Sequence, residues 1–276
     1  MRFCRHVPRL PLGLFVEFFW YYDSWYPDHA MENCLPDGSF ELIINLQEQT
    51  RKLFDREDSS RYRAFRRAWL SGTHSGYIVI DALPASSMMG VHFKPGGASA
   101  FMHLPASELR DQVVELDLLW GRTAWDWRDR LLAAPNPAAK FRVLEQFLLD
   151  RLLTSGPASD RRKRVAWALE RFDQHGGVGS IRAVADRLGV SHKHFVEEFR
   201  REVGLTPKLF CRIRRFQDVL ARISTGKVVE WADVACDCGY FDQAHFINDF
   251  RVFSGMNASA YLNQRLEYPN FVRVDG

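Results

Sequence analysis

Lysine, glutamate, glutamine and asparagine set at helical spacing can exchange hydrogen bonds with the edges of base pairs, and two segments of this chain carry such sets. In the first, residues 191–201, Phe195 and Phe199 stand four apart and mark an inward stripe. His192, Lys193, Val196, Glu197 and Arg200 fall on the opposite side. Lys193 suits the acceptors of guanine, Glu197 the amino group of cytosine, and Val196 the methyl group of thymine. In the second segment Phe246 and Phe250 mark the stripe, leaving Gln243, Ala244, His245, Ile247, Asn248 and Arg251 outward. Asn248 has the donor and acceptor pair that fits adenine. Arg200, Arg201, Lys208, Arg212 and Arg251 are candidates for phosphate contact, which positions a protein without specifying sequence. Two plainer readings compete: Glu197 pairing with Arg200 or Arg201 on a solvated face, and Ile247 packing on the helix that precedes it.

The elements that would position these side chains are legible as a repeat. Ala185 and Ala235 are small enough for close helix packing, and Gly189 and Gly239, four residues on, permit a sharp turn. Ser191 and Asp242 stand where an N-cap would accept from the free amides of the following helix. The two copies are offset by 50 residues at the alanines and glycines but by 51 at the phenylalanines, so the second turn holds one residue more. Two copies are too few for a solenoid, which needs about three. Between them, Leu209, Ile213, Phe216, Leu220 and Ile223 predict a helix from Pro207 to Ile223, with Arg212, Arg215 and Arg222 on its outer side. Its length gives a spacer of roughly 25 Å, compatible with recognition helices about 34 Å apart on one face of DNA.

Charge is unevenly distributed. The chain of 276 residues has a net charge of only +3, but residues 180–227 hold 11 basic and 5 acidic side chains, whereas 228–262 hold 1 and 5. The first unit should therefore supply most of the attraction to phosphate. No apolar run approaches the roughly 18 residues of a membrane span, and Pro11, Gly13 and Glu17 interrupt the one apolar stretch near the start. These features predict a cytoplasmic protein without membrane association. The 5 cysteines lack framework spacing, and Cys236-x-Cys238 lies on a predicted helix with no partner pair at zinc spacing.

The N-terminal part reads as strands at residues 15–22, 40–46, 77–83 and 88–93, with turns at Leu35-Pro-Asp-Gly38 and Pro95-Gly-Gly97. The charged stretch 47–67 reads as a long hairpin connection or loop. Helices follow from Thr123, and Phe141, Leu144, Phe147, Leu148 and Leu152 form an apolar stripe that either packs on its own domain or joins a second copy. Thr154-Ser-Gly-Pro-Ala-Ser159 reads as a linker, and residues 161–175 as a lead helix. His74, His92 and His103 raise the alternative of a cupin-type metalloenzyme fused to a DNA-binding domain, but that N-terminal part contains no closely spaced His-x-His pair.

Ser180 to Leu262, with Gly204-Leu-Thr-Pro207, Arg214 and Gly239-Tyr-Phe-Asp-Gln-Ala-His-Phe246, resembles the DNA-binding domain of the AraC/XylS family of bacterial transcription regulators. By that resemblance the base-contacting positions of the first unit fall on Lys193, Val196 and Glu197. Gly255-Met-Asn-Ala258 departs from the family pattern, which has proline at the last position. Leu35-Pro-Asp-Gly-Ser-Phe-Glu-Leu-Ile-Ile-Asn45, Gly90-Val-His-Phe-Lys-Pro-Gly-Gly-Ala98 and Leu116-Asp-Leu-Leu-Trp-Gly121 resemble the sensing domain of a subgroup. The resemblance implies an α+β protein of two domains: a cupin-like β-barrel with trailing helices at 1–155, and an all-α domain of two helix-turn-helix units joined by a long helix at 160–265. It implies double-stranded DNA as partner, with a small-molecule effector and RNA polymerase as further partners, and neither catalysis, metal nor cofactor. The alternative for the N-terminal domain is an oligomerisation or protein-interaction module, with a homodimer as the assembly.

Overall fold

The computed structural model describes residues 2–154, 159–174, 180–223, 230–268 and 270–274. The first part of the chain forms β1 (Arg2–His6), β2 (Val16–Trp25), β3 (Met31–Cys34), β4 (Glu41–Asn45) and β5 (Arg51–Phe54). It continues through β6 (Tyr62–Phe65), β7 (Ala68–Ser71), β8 (Ile78–Asp81), β9 (Ser86–Phe93) and β10 (Val113–Glu115). Helices α1 (Leu116–Trp120), α2 (Thr123–Ala133) and α3 (Pro137–Thr154) follow. The C-terminal part holds α4 (Asp160–Gln174), α5 (Ile181–Arg187), α6 (His192–Val203), α7 (Pro207–Ile223), α8 (Trp231–Asp237), α9 (Gln243–Ser254) and α10 (Ala258–Gln264). The chain then returns to strand in β11 (Phe271–Val274).

The strands make two antiparallel sheets that face each other without closing into a barrel. One runs β1-β2-β9-β4-β7-β10 and the other β11-β3-β8-β5-β6. Burial alternates along β2: Phe19 and Tyr21 join the core on one face, while Phe18, Trp20 and Tyr22 face the space between the sheets. On the outer face of the six-stranded sheet, Leu42, Met89 and Val91 pack with Trp127, Phe141, Leu144 and Leu148 of α2 and α3. The stripe on α3 is thus buried within its own domain, and its three most enclosed members, Phe141, Leu144 and Leu148, have 6%, 0% and 0% exposure. Strand β9 is covered on both faces, and seven of its eight residues are buried.

Two expectations are corrected here. The charged stretch 47–67 contains the hairpin β5–β6, whose residues pair from Arg51 with Phe65 to Phe54 with Tyr62. Its weak periodicity reflects an exposed edge, since three of the four β6 residues face solvent. The N-terminal sheet system also does not end with the first part of the chain, because β11 pairs with β3 from Phe271–Cys34 to Val274–Met31. Residues 155–158 of the expected linker and His175 at the end of the lead helix lie outside the described residues.

Candidate nucleic-acid interface

Each unit of the C-terminal domain is built as its residues dictate. Gly189 and Gly239 hold positive φ of 69° and 75° in the turns, and Ala185 and Ala235 are buried at the helix crossings. Ser191 Oγ accepts from the amide of His194, and Asp242 Oδ1 from that of His245. Helix α6 begins five residues after α5 ends and α9 begins six after α8, so the extra residue of the repeat sits in the second turn. Phe195 and Phe199 pack on Phe172 and Phe210, while Phe246 and Phe250 pack on Trp231 and Phe216. The last short helix forms despite the missing proline, because Asn257 caps α10 by accepting from Ala260.

Most of the residues expected to face outward from these stripes are exposed. Lys193, Glu197, Arg201 and Lys208 are exposed on or beside α6, with Val196 and Arg200 half-buried. Arg200 approaches Glu197 only to 4.0 Å, a marginal pair. On α9, Gln243, Ala244, Asn248 and Arg251 are exposed, and Ile247 is 40% exposed and joins no core. His245 is less free, since its ring lies edge-on to Tyr240 and its Nε2 stands 3.6 Å from Asp249. Phe241, just before the Asp242 cap, is 92% exposed. It was missed because an aromatic in a turn reads as core.

Arg212 is the clearest correction. Instead of facing solvent it crosses to α9, where Nη2 donates to Asp249 Oδ1 at 2.6 Å and Nε at 3.2 Å. Of the other α7 arginines expected outside, Arg222 is exposed and its Nη1 donates to Asp237 at 2.7 Å, while half-buried Arg215 lies over the Tyr240 ring at 5.4 Å. Arg214 pairs with Asp173 of α4 at 3.2 Å. The connecting helix thus neutralises acidic groups of its neighbours. Likewise Glu198 of α6 faces Arg164 of α4, whose hydrogen bonds hold its carboxyl below the usual carboxylate range. Three acidic side chains of the reading helices, Glu198, Glu202 and Asp249, are turned inward and paired.

The N-terminal domain grips this reader from behind. At the first unit Ser99 Oγ donates to Glu202 Oε2 at 2.7 Å. At the second, Asn33 Nδ2 of β3 donates to the Ser254 carbonyl at 3.0 Å. Between them Gln217 Nε2 of α7 donates to the Pro36 carbonyl at 2.8 Å. The loop between β7 and β8 touches the matching C-caps of both reading helices. A Cβ on Gly204 (φ +88°) would collide with Thr73, and one on Gly255 (φ +79°) would meet Tyr77 at 2.7 Å.

Between the sheets lies a cavity of about 750 Å³, a size that accepts a small molecule. Its walls include Trp20, Tyr22, Trp69, Glu41, Arg51 and His92, and α7 reaches it through Gln217, Leu220 and Ala221. Gly90 makes room for the indole of Trp20, which a Cβ there would overlap. Alternation gives the five-stranded sheet two roles. On β3, Glu32 and Cys34 line the cavity, whereas Asn33 holds the reader; on β11, Phe271 lines the cavity, whereas Val272 joins the reader's core. Among the described residues no group of three or more His, Cys, Asp or Glu is arranged to hold a metal, and no helix is long and apolar enough to cross a membrane.

This geometry defines a two-domain protein in which a double-sheet module with an internal cavity is packed on a paired helix-turn-helix reader. Residues 184–264 match the family model described as a helix-turn-helix domain, and residues 4–115 match a domain of unknown function (DUF6597). The doubled motif and the matching model make residues 184–264 a helix-turn-helix domain, the kind of module that binds DNA. Among solved structures it is similar to ToxT from Vibrio cholerae, at 10% identity, covering 95% of this chain and 98% of that one, with a TM-score of 0.49. A second ToxT structure from Vibrio cholerae O395, bound to (E)-4-(8-methylnaphthalen-1-yl)but-3-enoic acid, gives 9% identity, coverage of 95% and 99%, and a TM-score of 0.48. No match is found among curated proteins.

Proposed function

We propose that this regulator reads a two-part DNA site and that a small molecule in the cavity between its sheets adjusts that reading. In the DNA complex, Lys193, Val196 and Glu197 contact bases in one major groove. Gln243, Ala244, Ile247 and Asn248 do so in the next, with Phe241 against its edge, while Arg200, Arg201, Lys208 and Arg251 contact phosphate. His245 contributes only if its ring turns away from Asp249. The single observation that supports the coupling is the shared wall: one sheet, a single strand layer thick, lines the cavity on one face and packs the reader on the other. An effector that fits one placement of that sheet better than another changes DNA affinity by its differential binding.

The test is an unbiased selection of DNA by the full chain. It is expected to enrich two half-sites about one helical turn apart. Lys193→Ala should erase preference in one half and Asn248→Ala in the other, each costing about 1–3 kcal/mol on the selected site and much less on random DNA. Equal losses on both DNAs would reject base readout at those positions.

A further inference from the structure

The charges around the cavity discriminate between classes of occupant. On the wall formed by β4 and β9, His92 sits between two carboxylates, with Nε2 3.4 Å from Asp37 and Nδ1 3.7 Å from Glu41. Burial opposes its charge, but Asp37, Glu41 and Glu17 outweigh it and hold the imidazole at about 9. One imidazolium therefore faces two carboxylates, and that wall keeps a net negative charge. On the opposite wall the charges cancel. Arg51 Nε donates to Asp81 at 2.9 Å, and its Nη2 donates to the Asp81 carbonyl, while His29 Nε2 meets Glu32 at 2.6 Å.

The remaining cations of the lining are already directed elsewhere. Arg5 is exposed and lies over the Phe18 ring at 3.9 Å, and Lys52 Nζ lies over the Tyr62 ring at 4.1 Å. Among the described residues, no cavity cation lacks such a partner. An incoming carboxylate or phosphate on the His92 wall would lose its hydration next to Asp37 and Glu41 without gaining an unpaired cation there, a costly exchange in a low-dielectric site.

An organic cation meets the opposite situation. Trp20 Nε1 donates to Glu41 Oε1 at 2.7 Å, which fixes the carboxylate beside the indole. The indole stacks on Tyr22 at 5.7 Å, and Trp69 with Phe65 extends the aromatic lining. Ring faces attract a cation and the carboxylate completes the charge, while the apolar remainder offers space for a hydrophobic body.

Building on the effector reading above, we infer that the cavity takes an amphipathic organic cation: an apolar or aromatic body carrying a protonated amine that sits against Glu41, Asp37 and the Trp20 ring. An anionic amphiphile is the disfavoured class.

The experiment titrates the full chain by calorimetry with three probes of one skeleton: a naphthylethylamine, the naphthylpropanoate and the corresponding neutral alcohol. At neutral pH the amine is expected to bind at least about tenfold more tightly than the carboxylate, with the alcohol between. Glu41→Gln keeps an acceptor for Trp20 and should weaken the amine by about ten- to a hundredfold while sparing the alcohol. A carboxylate that binds as tightly as the amine, an amine that does not bind, or a Glu41→Gln variant with unchanged preference would each overturn the assignment. DNA affinity measured with and without each probe judges the effector reading separately. An amine that fills the cavity and leaves DNA binding unchanged upholds the charge assignment and refutes the coupling. A carboxylate that binds and shifts DNA affinity does the reverse.

Discussion

Replacing Arg212 by Gln separates a structural arginine from one proposed to contact DNA. Its partner Asp249 has a side chain of 0% exposure, against 29% for Arg212 itself. Removing the arginine leaves a carboxylate that water cannot reach, whereas removing the aspartate leaves a guanidinium that can turn outward. Breaking a fully buried pair costs about 3–5 kcal/mol. With Arg212 partly solvated and His245 Nε2 3.6 Å from the orphaned carboxylate, the expected cost for Arg212→Gln is about 2–3 kcal/mol. Asp249→Asn should cost about 1–2 kcal/mol, and the double variant less than the sum. Denaturation followed by tryptophan fluorescence reads this directly, because Trp231 stacks on Phe246 at 5.9 Å within the same unit. DNA titrations at several salt concentrations supply the second axis. Arg201→Gln, on an exposed side chain, should reduce the salt slope by about 0.9, while Arg212→Gln, in conditions where it is folded, should leave the slope unchanged. A full-unit loss of slope for Arg212→Gln without loss of stability would refute the assignment of Arg212 to the interior.

Four more outcomes are expected. Gly189→Ala and Gly204→Ala both force a side chain into positive φ, but only the latter also strikes the N-terminal domain. Gly204→Ala should therefore lower the melting temperature more and expose the junction between domains to limited proteolysis, and equal effects would show that the contact with Thr73 is dispensable. His92 is raised from 6.5 to about 9, so its contribution to stability is complete below about pH 6.5 and lost as pH rises through about 9. His92→Gln should flatten stability over that window. His74, lowered by burial to about 4, acts in the opposite sense, and stability should fall as pH drops from 6.5 towards 4 unless His74 is replaced by Gln. Finally, neutralising exposed basic groups of α6 should reduce the salt dependence of DNA binding more than neutralising Arg251 of α9, given the acidic balance of the second unit; equal slopes would contradict the charge asymmetry.

The reader was legible from the sequence because its instructions are local. Small residue, turn glycine, capping Ser191 or Asp242 and the paired phenylalanines all fall within about sixteen residues and depend on helical spacing alone. The sheets were legible only strand by strand. Strand β2 pairs with β9 some seventy residues away, and β11 crosses nearly the whole chain to reach β3, and no local pattern specifies such partners. The cavity carried a signal that went unused: in β2, Phe18, Trp20 and Tyr22 alternate with Phe19 and Tyr21, so both faces are aromatic and both must be covered. Helical position places Arg212 and Arg222 on the outer side of α7, but their carboxylate partners lie on α9 and α8, where spacing along one helix gives no information.

The return of β11 to β3 has a mechanical consequence. A reader fastened to its sensor at one end could swing through any angle that a single linker allowed. This one is held before α4 by the chain leaving α3 and after α10 by a strand hydrogen-bonded into the sensor's own sheet. Together with the contacts that Ser99, Pro36 and Asn33 make on Glu202, Gln217 and Ser254, that strand fastens the reader to the sensor along its back. A displacement of β3 is therefore passed on at once to the C-cap of α9, where Asn33 holds the Ser254 carbonyl.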